Sequence, residues 1–486
     1  MLSRGIIGAR TRLGRVPRSI VRTYATNIWT RRGQPSKFMR NVAIAGCVGI
    51  PSIWWMTTRD RKNDEDVLPP DNVPRLDSPP TERLVFEPGP GRGEVTRMLS
   101  ENACSFGVQD VPGVVRYDLT QVASNSQCED RFVHGKIPSP WGDGNQWMAW
   151  GVFDGHAGWQ TAELLKNQLV PFVRHSLGQV ELCEKEKPAP VEVVQSAIVD
   201  GFVNFDNCLV RSALGIFESD SSLQDKMKRL APAWAGSCAL LSLYDPATSI
   251  LHVACTGDSR AIFGHKGPDG NLEVIPLSID QTGHNEDEVA RLSREHPGEE
   301  NIVKDGRVLG LAVSRAFGDS QWKWPPKFLK DVSRAFYGLP PLTPRYEVLT
   351  PPYLTAEPVV TSIKIDPTNA SFVIMATDGL WDMMTNQQCV DLVAKWLEEQ
   401  YTDPEPTYDS FNFSRFWTDT PWKYDESRTT VEDDNVAVHL VRNAWGGNHH
   451  ELLAGRLASS PPFSRRVRDD VTVQDGQEDK GDLSRE

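Results

Sequence analysis

Several apolar stretches of this chain each lead into an aspartate, and this repetition is the feature that most limits how the chain can fold. The stretches are residues 147–153 before Asp154, 250–256 before Asp258, and 371–376 before Asp378. Short continuous apolar runs near glycine are typical of strands that are buried on both faces. We therefore predict a core of buried strands with carboxylates at several strand ends. The run from Ile250 to Gly264 also has the pattern of a hairpin, with its turn at Asp258.

The carboxylates at the strand ends indicate a site for divalent metal ions. A single Asp-Gly pair is a common turn, so each motif taken alone has a purely structural explanation. Several carboxylates that meet at strand ends repel one another unless they are dispersed or divalent cations neutralise them. All-oxygen ligands favour magnesium or manganese over zinc or copper, and two such ions would activate a water for in-line attack on phosphorus. His156 is a candidate to protonate the leaving group, although a lone histidine in a turn is more often structural.

Charge and cysteine content argue against two other classes of function. The net charge is −13, yet residues 1–59 hold ten arginines and one lysine and no acidic residue. The rest of the chain is therefore strongly acidic, which argues against nucleic acid as its partner. The eight cysteines are scattered without any Cys-x-x-Cys spacing. We expect reduced thiols rather than a disulfide framework or a zinc site.

The N-terminal region has the composition of a targeting segment. Residues 1–25 are rich in Arg and Ser and place Leu13, Val16 and Ile20 on one helical face, as mitochondrial transit peptides do. Residues 38–58 are a candidate membrane-anchoring segment. They are short for a bilayer span, which needs ~20 residues, so a buried or mobile extension of the presequence is the alternative.

Three further boundaries follow from composition. Residues 59–84, with clustered Asp, Arg and Pro, are predicted to form a solvated linker. The catalytic domain is predicted to occupy residues 85–475. Residues 476–486 are polar and are predicted to form a disordered tail.

Five motifs follow one another along the chain. They are Glu129-Asp130, Asp154-Gly155-His156-Ala157-Gly158, Gly257-Asp258-Ser259-Arg260, Ser314-Arg315-Ala316-Phe317-Gly318-Asp319 and Thr377-Asp378-Gly379-Leu380-Trp381-Asp382. In this order they resemble the metal-dependent serine/threonine phosphatases of type 2C, over residues 110 to 475. Within that family the likeness is greatest to the pyruvate dehydrogenase phosphatases. It rests on Ala157, on the stretch Thr350 to Pro358, and on His284-Asn285 before a charged helix.

The resemblance implies an α+β fold, a four-layer α-β-β-α sandwich with two packed antiparallel sheets and a bimetal cleft at one end. The sequence is compatible with this fold. Gln160 to His175 and Val191 to Leu214 have the apolar spacing of helices, whereas the segments that carry aspartate have the pattern of strands.

The resemblance also implies the cofactors, which are two Mg²⁺ or Mn²⁺ ions and a weaker third ion. The implied metal-binding residues are Asp154, Gly155, Asp378, Asp469, Asp258 and Asp382. Asp154 would bridge the two main ions, and the Gly155 carbonyl would be a further ligand. The weaker ion would lie between Asp258 and Asp382. Asp130 would act through metal-bound water.

Two positions depart from the usual family pattern or leave a choice open. Many type-2C enzymes bind phosphate with an arginine shortly before the Glu-Asp pair, and here that position is Asn125, a neutral hydrogen-bond donor. The last metal ligand is either Asp434 or Asp469. We favour Asp469, because Thr429 and Glu432 have the spacing of a capping box and the residues after Asp434 fit a helical face.

That choice leads to an expectation about stability. After Val473 the sequence becomes polar, so we expect a shortened final strand that holds Asp469 less rigidly.

Two functions are consistent with these observations. The first is hydrolysis of phosphoserine on a mitochondrial protein by a metal-bridged hydroxide, with the pyruvate dehydrogenase complex as the partner that the resemblance implies. The expected location is the mitochondrial matrix or inner membrane. The alternative is a catalytically weak family member that acts as a phosphoprotein-binding scaffold at the inner membrane.

Overall fold

The structure, a computed structural model, describes residues 90–180, 188–267, 270, 272–336, 342, 345–366, 370–398 and 423–477. These residues belong to one compact unit, Phe86–Glu486. The predicted transit peptide, the apolar segment at 38–58 and the linker at 59–84 lie outside the described residues. Within the described part of the chain, no helix is both long enough and apolar enough to cross a membrane.

Two antiparallel sheets form the centre of the fold. The strands are β1 (Cys104–Gly107), β2 (Arg116–Val122), β3 (Arg131–Pro138), β4 (Gln146–Phe153), β5 (Gly155–His156), β6 (Gly236–Ser237), β7 (Ala239–Asp245), β8 (Ile250–Thr256), β9 (Arg260–Lys266), β10 (Leu272–Pro276), β11 (Val303–Lys304), β12 (Arg307–Val308), β13 (Phe317–Gly318), β14 (Val359–Lys364), β15 (Ser371–Ala376) and β16 (Val471–Gln477). The larger sheet has the order β1-β2-β16-β15-β9-β10, and the second has the order β14-β8-β7-β4-β3. A small sheet, β13-β6-β5, adjoins the end of β4.

Helices surround the two sheets. They are α1 (Arg92–Ser100), α2 (Gln160–Gly178), α3 (Val191–Glu218), α4 (Leu223–Trp234), α5 (Glu286–Glu295), α6 (Pro326–Phe336), α7 (Asp378–Trp381), α8 (Asn386–Glu398), α9 (Val436–Trp445) and α10 (His450–Ala458). Helices α2 and α3 pack on the β14-to-β3 sheet, while α1, α8, α9 and α10 pack on the larger sheet. This arrangement confirms the predicted α+β sandwich of four layers.

The two sheets face each other across a buried apolar layer. Its members include Met148, Trp150, Val152, Leu240, Val253, Phe263 and Met375, each less than a tenth exposed. Strand β4 is buried along almost its whole length because one face meets α2 and the other meets this layer. The continuous apolar run before Asp154 is therefore explained by burial on both faces.

The hairpin predicted between Ile250 and Gly264 is wrong. Strands β8 and β9 lie in different sheets: β8 pairs with β7 and β14, whereas β9 pairs with β10 and β15. The turn at Gly257 has a φ of 109°, and a Cβ there would collide with Cys238. Two consecutive apolar runs look alike whether they pair with each other or with other strands, so the sequence does not distinguish the two topologies.

The final strand is longer than expected. Strand β16 continues past Val473 to Gln477 and is paired on both sides, with β2 and with β15. Gln474 is buried and its Nε2 donates to the Val133 carbonyl at 3.0 Å. Backbone pairing on both edges keeps a polar segment in the sheet, which side-chain polarity alone does not reveal. The expected shortening is not observed, and the strand extends into the segment predicted to be a tail.

The helical interpretation of the segment after Asp434 is confirmed, but its start is not where the capping box places it. Helix α9 begins at Val436, and the Asn435 side chain accepts a hydrogen bond from the Val438 backbone N–H. The Glu432 carboxylate instead pairs with Arg92 at 2.8 Å. Asn435 therefore provides the N-cap of this helix.

Two glycines of α3 allow a test of how α2 packs against α3. A Cβ on Gly201 would lie 2.8 Å from the Val173 Cα of α2, whereas a Cβ on Gly215 would meet nothing within 4 Å. Gly201→Ala should lower the free energy of unfolding by about 1–3 kcal/mol, because the helices must separate. Gly215→Ala should raise it by up to about 1 kcal/mol through helix propensity. Denaturant unfolding measures both. Effects of the same sign at the two sites would contradict the described packing of α2 on α3.

Candidate metal centre

Three carboxylates from different parts of the chain converge at one end of the sandwich. Asp154 follows β4, Asp258 follows β8, and Asp378 opens α7 directly after β15. One carboxylate oxygen from each lies within 4.8 Å of the other two. Strands β4 and β8 belong to one sheet and β15 belongs to the other. The packing of the two sheets therefore brings together the aspartates that the sequence analysis singled out.

The electrostatics of this cluster fit a hard divalent cation. Burial, together with the neighbouring charges of Asp378 and Asp130, holds the pKa of Asp154 well above its usual range. Burial and the charge of Asp258 raise the pKa of Asp378 to about 7. Ionised carboxylates this close are stable only if positive charge compensates them. An all-oxygen donor set with this repulsion suits Mg²⁺ or Mn²⁺.

Asp130 lies next to the cluster and is almost completely buried. Its Oδ2 accepts hydrogen bonds from the Thr377 hydroxyl at 3.0 Å and from the Thr472 hydroxyl at 2.8 Å. Burial, with the nearby Asp470, raises its pKa to about 8. Thr377 directly precedes Asp378 and Thr472 lies at the start of β16, so these hydrogen bonds tie Asp130, just before β3 of one sheet, to the larger sheet.

Two further predicted ligands are Gly155, which directly follows Asp154, and Asp382. A Cβ on Gly155 would collide with the Glu129 carbonyl, so this position in β5 requires a residue without a side chain. Asp382 lies one helical turn after Asp378 and lines a cavity of about 660 Å³ together with Asp258 and Asp378. The roles of the Gly155 carbonyl and of Asp382 as metal ligands remain predictions.

His156 is partly buried and forms a pair with the buried Asp319 that the sequence pattern does not reveal. The His156 Nε2 lies 2.6 Å from the Asp319 Oδ2, and the Asp319 side chain is 2% exposed. Burial alone would lower the pKa of His156, but the Asp319 carboxylate outweighs burial and the pKa is raised. A Cβ on Gly236 would collide with both side chains. Asp319 is part of a motif quoted above, yet only the tertiary structure gives it this contact.

Asp470 is a second residue whose role the sequence pattern does not reveal. Its Oδ1 accepts from the backbone N–H groups of Ser124 and Asn125, at 2.5 and 3.1 Å. Its Oδ2 accepts from the Glu129 N–H at 2.8 Å and from the Asn125 amide Nδ2 at 3.3 Å. The Asp470 carboxylate thus fixes the loop that carries Asp130. A buried acceptor of several N–H groups is a strong structural constraint.

The two candidates for the last ligand lie in different places. Asp434 is exposed at the start of α9, and its carbonyl accepts a hydrogen bond from Arg116 at the start of β2. The loop of Asn125 follows the other end of β2, and seven residues of strand span roughly 20 Å. Asp434 is therefore remote from the carboxylate cluster. Asp469 is 33% exposed and forms an ion pair with Arg465, and its role as a ligand remains a prediction.

The amide of Asn125 is hydrogen-bonded to two carboxylates. Its Nδ2 donates to the Glu129 Oε2 at 3.1 Å and to the Asp470 Oδ2 at 3.3 Å. An amide nitrogen has two protons, and these two carboxylates account for both. A phosphate-binding role for Asn125 remains a prediction that this hydrogen bonding does not favour.

The comparisons with known proteins agree with the geometry. Residues 120–410 match the family model described as Protein phosphatase 2C. A protein phosphatase 2C homolog of Schizosaccharomyces pombe is 40% identical over 386 residues, which cover 78% of this chain and 83% of the relative. The mitochondrial pyruvate dehydrogenase (acetyl-transferring) phosphatase 1 of Saccharomyces cerevisiae is 38% identical over 78% of this chain and 71% of its own. The human protein of that name is 28% identical, with 86% of each chain covered.

Among solved structures, a serine-threonine phosphatase 2C from Toxoplasma gondii aligns with 78% of this chain and 99% of its own. The sequence identity is 18% and the TM-score is 0.47.

The adjacent aspartates offer a matched pair for testing Asp470. In the presence of a chelator, Asp470→Ala should lower the free energy of unfolding by about 3 kcal/mol, because it leaves several buried N–H groups without an acceptor. Asp469→Ala removes a partly exposed ion pair with Arg465 and one hydrogen bond from the Asp470 N–H, and should cost about 1 kcal/mol. Equal losses in chemical denaturation would show that Asp470 does not fix the loop.

Proposed function

Because this chain belongs to the protein phosphatase 2C family, we propose that it is a metal-dependent phosphatase that hydrolyses phosphoserine on mitochondrial pyruvate dehydrogenase. Serine/threonine phosphatase activity follows from the family. The observation that carries the metal dependence is the group of Asp154, Asp258 and Asp378 with oxygens within 4.8 Å of one another. The substrate is supported by relatives whose names specify pyruvate dehydrogenase phosphatase, in yeast and in mammals.

The residues around the cluster would divide the work as follows. Asp154, Asp378, Asp469 and the Gly155 carbonyl would hold two Mg²⁺ or Mn²⁺ ions, and Asp258 with Asp382 a weaker third. When bound, such ions activate a water and neutralise the phosphoryl oxygens. Asp130 would act through metal-bound water, and the hydroxyls of Thr377 and Thr472, which donate to its Oδ2, would hold its carboxylate in place.

His156 would supply the proton that the departing seryl oxygen needs. Its Nε2 is engaged with the Asp319 carboxylate at 2.6 Å, so Nδ1 is the atom that would carry the proton to the leaving group. The same carboxylate raises the pKa of His156 against the effect of burial, which keeps the imidazole protonated to higher pH. Asp319 would also fix the orientation of the ring.

The full length of β16 weakens the case for a scaffold. That alternative depended on a shortened final strand, whereas β16 is paired on both sides through Gln477. Asp470, at the residue before this strand, is buried and fully engaged with the Asn125 loop. The segment that carries Asp469 therefore enters a central strand of the larger sheet.

The direct test of this function is phosphate release from phosphorylated pyruvate dehydrogenase with manganese, magnesium or chelator. We expect release only with a divalent metal. Asp154→Asn and Asp378→Asn should lower kcat at least about 100-fold, because they remove ligands at the reacting centre. Asp434→Asn is the matched control, since Asp434 lies at the far end of β2, and it should retain activity within about twofold.

The outcomes separate the parts of the proposal. Undiminished release in chelator would refute the metal-dependent mechanism. Metal-dependent hydrolysis of p-nitrophenyl phosphate without release from phosphorylated pyruvate dehydrogenase would refute the substrate and leave the metal centre standing.

The proposed location is the mitochondrion, and it rests on the composition of residues 1–25 and on the mitochondrial relatives. A fluorescent protein fused after residues 1–60 should accumulate in mitochondria. Replacing the arginines of residues 1–25 with glutamine should abolish import, because transit peptides depend on their positive charge. Mitochondrial import of the substituted fusion would count against a transit peptide in this segment.

A further inference from the structure

The site needs a positively charged side chain that can bind the phosphoryl group. A phosphomonoester is a dianion, and the end of the sandwich that would receive it is lined with the carboxylates of Asp130, Asp154, Asp258 and Asp378. Asn125 occupies the position where many family members have arginine, and it has no charge. Its amide is already used by Glu129 and Asp470. Any charge on the phosphoryl group that bound metal ions leave uncompensated therefore calls for a positive side chain from elsewhere.

A short 3₁₀ helix, Ser464–Arg466, brings an arginine to this place from a distant part of the sequence. Ser464 is buried, and its hydroxyl donates a hydrogen bond to the Ser124 carbonyl, next to Asn125. The Ser464 carbonyl in turn accepts from the Arg468 N–H at 3.0 Å. The backbone of Arg465 is thereby anchored against the loop that carries Asn125.

Arg465 lies between the Asn125 loop and the segment that enters β16. Its guanidinium pairs with Asp469, the residue favoured as the last metal ligand. Asp469 directly precedes Asp470, whose carboxylate accepts from the N–H groups of Asn125 and Glu129. The guanidinium is therefore close to the favoured last ligand as well as to the Asn125 loop. Its side chain remains 44% exposed, so a ligand can reach it.

Other arginines around the site are committed to structural contacts. Arg260 binds both oxygens of Asp280, at 2.8 and 2.6 Å. Arg131 donates to Glu163 and to the Asp130 carbonyl. Arg468 donates to the backbone carbonyls of Ala123 and Arg456.

Arg465 differs because its ion-pair partner is Asp469, the residue favoured as the last metal ligand. A carboxylate that binds a divalent ion no longer needs the guanidinium as its counter-charge. Metal binding at Asp469 would therefore leave the planar N–H fork of Arg465 available, and this fork matches the oxygens of a phosphate.

We propose that Arg465 binds the phosphoryl group of the substrate and that Asn125 holds the loop in place instead of binding phosphate. The inference rests on the proposed phosphatase function, and it assigns to this site a phosphate monoester or its product, inorganic phosphate. Arg465, from the segment before β16, thus takes the place of the arginine that many family members have at the position of Asn125.

The test compares Arg465→Gln with Arg466→Gln in the full chain. Arg466 is the adjacent arginine of the same 3₁₀ helix, exposed and 5.6 Å from the Phe463 ring, so it is a matched control. Titration calorimetry gives the manganese affinity first, and then the affinity of the manganese-loaded protein for inorganic phosphate. Thermal unfolding checks that each variant is folded.

We expect Arg465→Gln to weaken phosphate binding at least about tenfold, because hydrogen bonds between charged partners are lost. Manganese affinity should stay the same or increase, since Asp469 loses a competitor. Arg465→Lys keeps the charge but not the fork and should recover only part of the phosphate affinity. Arg466→Gln should change neither affinity by more than about twofold.

Two results would overturn the assignment. Unchanged phosphate affinity in Arg465→Gln would reduce Arg465 to a counter-charge for Asp469. A loss confined to manganese affinity would make it a residue that positions Asp469. If the wild-type protein itself fails to bind manganese and to hydrolyse p-nitrophenyl phosphate, the proposed function fails, and the inference with it.

Discussion

The packing of the two sheets holds several aspartates close together although their carboxylates repel one another, and the chemistry of the site follows from this constraint. Asp154 and Asp258 end strands of one sheet, and Asp378 follows a strand of the other. The apolar layer between the sheets fixes the distance between these strand ends, so the carboxylates cannot move apart without disrupting the core. Burial raises the pKa of each of these groups, and a divalent cation is the natural compensation. The folding energy of the sandwich thus maintains a site that is unfavourable by itself.

Around this cluster, a second set of contacts holds the segments that carry chemistry. The Asp470 carboxylate binds the loop of Asn125 and Glu129, and Thr472 binds Asp130, so the start of β16 organises the loop opposite it. Strand β16 is central and paired on both sides, which gives this arrangement a rigid base. The pair of His156 and Asp319 is fixed in the same way, because the small β13-β6-β5 sheet brings Gly318 and His156 to opposite edges of β6. Asp130, His156 and Asp470 therefore each have a partner on another element.

Much of the fold and the core of the site could be predicted from the sequence. The buried strand before Asp154 and the amphipathic helices α2 and α3 have periodicities that depend only on local burial. The predictions that were wrong concern which strands pair with each other. The strands on either side of Asp258 enter different sheets, and the polar residues after Val473 continue a central strand. Hydropathy records whether a residue is buried, but it does not record which strand the backbone pairs with.

The sequence by itself determined the chemistry available to this protein: oxygen ligands after apolar strands, an arginine replaced by Asn125, and a family resemblance that the comparisons confirm. Only the tertiary structure decided which groups meet. It placed Asp319 on His156 and Asp470 under the Asn125 loop, it separated Asp434 from the cluster, and it brought the helix Ser464–Arg466 to the Asn125 loop. The physical reason is that these contacts join residues far apart in the chain. Their energies depend on distances that packing sets and that residue order does not contain.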